Sequence, residues 1–270
     1  MTARTATPWR YRLALFKSKC IYQYVPGRLR AMKALYGSML SAGDLCFDLG
    51  SHIGNRVDVL TSLSCKVVAL EPHPFLASYL RRRFAGNPDV VVDERGVSDV
   101  PGAATLHWSP RYLTVSSLKS DWVDSLQAVR PHNIAFTESQ TVAIATIGEL
   151  IREYGEPRYC KIDIEGLDLA VIRSLPMPLR IVSFEHLPHQ LGATAASLAA
   201  LGALANYRYN FFTRESHRFR VPAPVSAEDL LRELRGIDDR GWSCDVFAFR
   251  QDVPPDGVGH ASSFARGSAT

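Results

Sequence analysis

No stretch of this sequence approaches the about 20 consecutive apolar residues that a membrane span requires. Its apolar runs, such as Lys66 to Leu70 and the stretch around Ile162, are far shorter. The first residues carry one early Arg but lack a continuous apolar segment and a small-residue cleavage site, so no secretory leader is expected and the expected location is cytoplasmic. No two of the five cysteines (Cys20, Cys46, Cys65, Cys160 and Cys244) stand in CxxC spacing, and their odd number within mostly apolar segments suits buried, reduced thiols rather than a disulfide framework or a zinc site. Internal repeats are absent, which excludes solenoids and propellers. With 46% apolar and 21% charged residues, the chain has the composition of an ordinary globular protein, not of a disordered or fibrous one.

Acid is missing from one region altogether. Residues 1–43 hold eight Lys or Arg and no Asp or Glu, although the whole chain carries only +4. Trp9, Tyr11, Phe16, Tyr22, Tyr24 and Tyr36 are interleaved with Arg10, Arg12, Lys17, Lys19, Arg28, Arg30 and Lys33. Two readings stand for this helical extension. Either the mixture makes peripheral contact with an anionic surface, or its aromatics pack on the following domain beneath solvated basic heads. Nucleic acid is not an expected partner, and the oligomeric state is not legible.

From residue 44 onward the pattern alternates. A buried strand at Leu45–Leu49 follows a helix over 28–41 and a stop at Gly43. A helix over 57–63, a strand at 66–70, a helix over 74–84 and a strand at 90–93 come next, the order of βαβ units in a parallel sheet. Short strands at 103–108 and 113–118 and a long polar and aromatic stretch to Gln140 interrupt it as an excursion. Within that excursion, Trp108, Tyr112, Trp122 and His132 belong to a candidate acceptor lid.

The parallel pattern resumes with a capping box, Thr146 to Glu149, opening a helix over 147–154. It continues with a strand at 158–164, a helix over 167–175, a strand at 180–184, a helix over 190–204 and a strand at 207–213. A second capping box, Ser226 to Asp229, opens a helix over 225–234, and a last strand spans 243–250 with Phe247 and Phe249 on one face. The expected organisation is a basic helical extension (1–43), one α/β domain (44–250, with the excursion at 101–141) and a flexible tail (251–270). Seven main strands in one sheet are expected.

In such a sheet, ligands bind beyond the carboxyl ends of the strands where the strand order reverses. The polar residues there are Asp48 with Gly50 and Gly54, then Glu71, then Asp93 to Asp99, then Asp163 with Glu165, and Glu185 with His186. Gly50 permits a tight turn, and Gly54 a close approach of the helix. The third glycine of a dinucleotide fingerprint is missing, and an acid just before the first glycine suits an ammonium group better than a pyrophosphate. Glu71, 17 residues after Gly54, stands near the spacing at which an acid takes both ribose hydroxyls. Together these features favour a nucleoside with a cationic or zwitterionic tail. A nicotinamide-dependent oxidoreductase fits poorly.

Five motifs then occur in order: Phe47 to Asn55 (FDLGSHIGN), Leu70 to Pro74 (LEPHP), Gly96 to Asp99 (GVSD) with Gly102 following, Ser116 to Leu118 (SSL), and Lys161 to Gly166 (KIDIEG). This succession, from about residue 44 to residue 186, resembles the FkbM methyltransferases. Ser51-His52 stands where that family often has Ala-Asn.

The resemblance implies a class I methyltransferase (Rossmann-like) fold: a seven-stranded sheet, mostly parallel with an antiparallel last strand, and helices on both faces. It implies S-adenosylmethionine as cofactor and O-methylation of a hydroxyl on a sugar, glycolipid, polyketide or other natural product. It further implies that Asp48, Gly50 and Gly54, with Ser51 and Asn55 of the same motif, shape the methionine end. Glu71, followed by Pro72, would hold the ribose, and Gly96, Val97 and Ser98 the adenine. Asp163 would face the transferred methyl.

Lys161, Asp163 and Glu165 are two apart and share a face if the strand stays extended. Asp163, Glu165 and His186, the last oriented by Glu185, are the candidates for a general base. Asp163, Glu165 and Glu185 carry oxygens that suit Mg²⁺, but no metal site is assigned. A catalytically silent module that holds an acidic partner through the basic N-terminus is the other reading.

Overall fold

The structure, a computed structural model, describes residues 8–110, 112–118, 136–237 and 243–252. Two helices come first, α1 (Pro8–Tyr22) and α2 (Arg28–Gly37). They are followed by β1 (Leu45–Leu49), α3 (Asn55–Ser62), β2 (Lys66–Leu70), α4 (Pro74–Arg83) and β3 (Val90–Asp93). Next come β4 (Gly96–Val97), β5 (Gly102–Ser109), β6 (Tyr112–Ser117) and β7 (Glu138–Ala145). The rest is α5 (Ile147–Tyr154), β8 (Tyr159–Ile162), α6 (Asp168–Arg173), β9 (Ile181–His186), α7 (Leu191–Leu204), β10 (Tyr207–Thr213), α8 (Ala227–Arg235) and β11 (Cys244–Arg250).

The main sheet has seven strands in the order β10-β11-β9-β8-β1-β2-β3, parallel except for β11, which runs antiparallel to both neighbours. The expected fold is therefore present. β1 lies between β2 and β8, with Asp48 opposite Ala69 on one side and Lys161 on the other. The strand order reverses at β1, so the cleft belongs at the carboxyl ends of β1 and β8.

Every residue of β1 and β8 is buried, because helices cover both faces of the sheet. Alternate residues serve opposite layers. Leu45, Phe47, Leu49, Cys160, Ile162, Val182 and Phe184 join the layer under α5, α6 and α7. Cys46, Val67, Ala69, Tyr159 and Ile181 join the layer under α2 and α3.

One expectation is corrected here. The excursion does not lie over a single sheet but builds a second one of four strands, β4-β7-β5-β6, in which β5 pairs antiparallel with both β6 and β7. The alternation of short strands was readable, but their pairing depends on contacts remote in sequence. Trp122 and His132 of the candidate lid lie outside the described residues. Trp108 is buried, and its indole N–H donates to the Tyr11 hydroxyl (3.1 Å), so it anchors α1 instead of lining a lid.

Boundaries shift for local reasons. α2 ends at Gly37 and not at residue 41, with the Ser38 N–H capping the carbonyls of Leu35 and Tyr36. The Thr146 capping box is complete in both directions. At Ser226 the hydroxyl accepts the Asp229 N–H and donates to its carboxylate, so the shorter acid closes the turn through the side chain.

Candidate active site

Gly50 ends β1 in a left-handed turn (φ 86°), and a Cβ there would lie 2.0 Å from the Asp163 carbonyl oxygen. Only glycine lets the ends of β1 and β8 come this close. The Gly50 and Ser51 N–H groups both donate to the Leu70 carbonyl, tying the turn to β2. Gly54 (φ 77°) starts α3 two residues earlier than the apolar periodicity indicates, and its missing Cβ makes room for Leu80 and Phe84.

Beyond these ends opens a cavity of about 230 Å³. Its first wall is the turn itself, with Gly50, Ser51, His52, Asn55 and Arg56. A second, largely apolar wall consists of Pro72, Gly96, Val97, Leu106, Leu113 and Leu118, the last three contributed by the second sheet and the residue just after β6. Glu71 stands between the two walls. Its Oε2 accepts the His52 N–H (2.8 Å) and its Oε1 accepts the His73 N–H (2.9 Å), fixing the carboxylate and leaving lone pairs on both oxygens. Burial pushes the Glu71 pKa up to about 7 despite these bonds.

The opposite end is crowded with acids. Asp163, Glu165, Glu185 and Glu215 all line the cavity. Lys161 is buried behind them; its Nζ lies 3.5 Å from the Asp163 carboxylate and hydrogen-bonds Asp245. Burial disfavours the charged ammonium, but Asp163 and Asp245 outweigh it and hold the Lys161 pKa above its usual range. Burial, followed by the negative charges of Asp163 and Glu165, drives the Glu185 pKa well up. Burial also acts to raise Glu215, yet the neighbouring His217, with Arg56 and Lys161, brings it down to about 2.

Sheet parity explains this division. Asp48, Lys161, Glu185 and Asp245 occupy the positions of their strands that face the α2–α3 layer, alternating with Phe47, Ile162, Phe184 and Val246 of the other layer. The charges thus collect on one side of the sheet at its carboxyl end.

Three sequence expectations meet a different geometry. Asp48 does not line the cavity: it is fully buried below it, with Oδ1 accepting from Arg56 (3.1 Å) and Oδ2 without a hydrogen-bond partner among the described residues. Arg56 Nε donates in turn to the Tyr36 hydroxyl (2.8 Å), which meets Tyr159 (3.2 Å). His186 falls on the opposite face from Glu185, where its Nδ1 meets the Thr194 hydroxyl (2.7 Å) and burial lowers its pKa to about 4. It does not line the cavity. Glu165 does reach the cavity, but through a left-handed turn (φ 50°) after β8 has ended at Ile162 and not along an extended strand.

Ser98 also lies off the cavity, its hydroxyl donating to Asp99 and its N–H to the Ala145 carbonyl. Among the described residues, no three His, Cys, Asp or Glu side chains are placed to share a metal ion.

Sequence reasoning missed Arg56, Glu215 and Tyr22. Arg56 had a readable signal, since an acid inside an apolar strand needs a cation nearby. Glu215 sits in a loop where Arg214, Glu215 and His217 all have positive φ, and no periodicity marks it. Tyr22 reaches the cavity from α1, beside the His52 ring (5.4 Å between centroids).

Comparison with known proteins adds an independent observation. A family model described as the Methyltransferase FkbM domain matches residues 48–211. The chain is similar to the hexuronic acid methyltransferase AglP of Haloferax volcanii, with 26% identity over 144 residues, 52% of this chain and 54% of that protein. The match spans about half the length of that curated relative.

Among solved structures, a precorrin-6y C5,15-methyltransferase from Geobacter metallireducens aligns with a TM-score of 0.44 at 12% identity, covering 86% of this chain and 92% of that one. A TehB-like SAM-dependent methyltransferase from Corynebacterium glutamicum aligns with a TM-score of 0.44 at 10% identity, covering 91% of this chain and 100% of that one.

Proposed function

The chain belongs to the FkbM methyltransferase family, and from that premise we propose that it methylates a hydroxyl of a sugar using S-adenosylmethionine. The observation that carries this reading is a single cleft with two chemically distinct ends. One end has an apolar wall beside the fixed carboxylate of Glu71, and the other has the acids around Asp163. The first end fits a nucleoside: Pro72, Gly96, Val97 and the three leucines offer a surface for a flat ring, and Glu71 retains acceptor sites for ribose hydroxyls. The carboxylates at the other end fit a cationic sulfonium.

When bound, S-adenosylmethionine supplies an electrophilic methyl group on that sulfonium. Transfer to oxygen needs in-line geometry at roughly 3–3.5 Å, so most of the protein's contribution is positioning. Asp163, at the point where β1 and β8 meet, takes the proton of the acceptor hydroxyl. Lys161 is a positioning residue that holds the Asp163 carboxylate from behind. Glu165, Glu185 and Glu215 hydrogen-bond the acceptor's remaining hydroxyls. Glu215, held ionised by His217, Arg56 and Lys161, favours a neutral sugar over a uronate, because a second negative charge at this end meets a like charge. In this respect the acceptor differs from the one in the name of the Haloferax relative.

The test is transfer of labelled methyl from S-adenosylmethionine to neutral hexosides and pentosides and to the corresponding uronates. The proposal expects S-adenosylhomocysteine and an alkali-stable methyl ether on the neutral sugars. An alkali-labile methyl ester, or transfer only to nitrogen or carbon acceptors, contradicts methylation of a hydroxyl. Faster transfer to uronates contradicts the charge argument alone.

A further inference from the structure

α1 presents two different apolar faces. Its inner face packs Tyr11, Ala14, Leu15 and Tyr22 against Ile53, Leu76, Phe75 and Leu113, so the helix is seated on the domain and on the second sheet. Its outer face remains uncovered: Trp9 is 59%, Leu13 47% and Phe16 58% exposed, and Cys20 is exposed as well. Residues 9, 13, 16 and 20 follow the i, i+4, i+7, i+11 spacing and form one stripe along the helix. At 100° per residue, Arg10 and Lys17 flank it on one side and Arg12 and Lys19 on the other. The Arg10 guanidinium lies over the Trp9 ring (5.6 Å), and a shallow hollow between Trp9, Arg10, Leu13 and Lys17 opens on this face. Just past the helix, Tyr24 (60% exposed) and Val25 are exposed as well.

We propose that this outer face docks the protein on an anionic lipid surface. The Trp9–Leu13–Phe16–Cys20 stripe enters the boundary between headgroups and acyl chains, and Arg10, Arg12 and Lys17 meet lipid phosphates. The helix lies in the plane of the membrane, since no helix among the described residues is long and apolar enough to cross it.

Charge chooses this occupant over a second copy of the chain. A two-fold interface sets the same patch against itself, and residues 1–43 contain no acid to answer the basic rows. The apolar stripe chooses it over a nucleic-acid backbone, which needs basic groups but gives four aligned apolar side chains nothing to bury against.

The test is partition of the full chain onto vesicles of phosphatidylglycerol and phosphatidylcholine in equal parts, compared with vesicles of phosphatidylcholine alone. Binding to the mixed vesicles, reduced by added salt, is expected. Trp9→Glu combined with Phe16→Glu should lower the partition coefficient by roughly tenfold or more. Arg10→Glu combined with Lys17→Glu should remove the preference for anionic vesicles. Both pairs are solvent-facing, and unchanged binding of S-adenosylhomocysteine shows that the fold persists. No partition at low salt, or partition indifferent to these substitutions, overturns the proposal. So does a concentration-dependent dimer that Trp9→Glu abolishes, or tighter binding to single-stranded RNA that ignores the apolar pair.

Discussion

Asp48 and Asp163 belong to the ends of adjacent parallel strands, yet their surroundings differ in every respect that matters for chemistry. Asp48 is buried below the cleft against Arg56, whose guanidinium also donates to the Tyr36 hydroxyl and forms part of the cleft wall. Asp163 is one-third exposed, has Lys161 behind it and faces a cleft holding three further carboxylates. Asp48 itself is closed off from the cleft by its cation, whereas Asp163 opens onto it among further acids. An acid at the carboxyl end of a strand therefore becomes available to a ligand only where the neighbouring cation leaves it on the open side. The buried ion pair acts on folding, and the open cluster on the reaction.

This contrast can be broken at each cluster separately. Asp163→Ala should have the largest effect, a fall in turnover of about 10²- to 10⁴-fold, the usual contribution of a positioned base. Its S-adenosylhomocysteine affinity should change little, and near-normal turnover would sink the assignment. Arg56→Ala should do the reverse to folding: leaving Asp48 buried without its cation costs about 3–5 kcal/mol, read by urea unfolding. A midpoint close to that of the unmodified chain would show that the closed cluster is not structural.

Glu71 provides a pH test at the other end of the cleft. Its folded-state pKa of about 7 is above the ordinary value of 4.5, so the ligand-free fold binds an extra proton between these values. The stability it contributes is full below about 4.5 and is lost as pH rises through about 7. Cofactor affinity should run the opposite way, weakening as pH falls below about 7 and the ribose acceptor becomes protonated. Glu71→Gln should bind more weakly and flatten this profile; an unaltered profile in that variant would place the titrating group elsewhere.

The smallest effect is expected at His186. His186→Ala should leave turnover within about twofold and cost about 1 kcal/mol of stability through the lost Thr194 hydrogen bond. A large fall in turnover without unfolding would return His186 to the reaction.

Much of the fold was legible because its signals are local: the short buried runs of β1 and β2, the glycine turn between β1 and α3, and the Thr146 capping box. Pairing within the second sheet was not legible, since Gly102 meets Ile144 across a segment of more than 40 residues. At the site, a strand-end acid was easy to find and its direction was not. The alternation Val182, Phe184, His186 already assigns His186 to the apolar face and Glu185 to the other, a signal available in the sequence and overridden by the attraction of an adjacent acid and histidine. Arg56 was within reach of similar reasoning. Glu215 and Tyr22 were not, because a loop of left-handed residues and a distant helix deliver them by tertiary packing alone.

Calorimetric titration of the full chain with S-adenosylhomocysteine above neutral pH, beside NADH and the Glu71→Gln variant, tests the central claim most directly. The account predicts one saturable site for S-adenosylhomocysteine, weakened in Glu71→Gln, and no binding of NADH. A folded chain that binds neither nucleoside, or that prefers NADH, would contradict it.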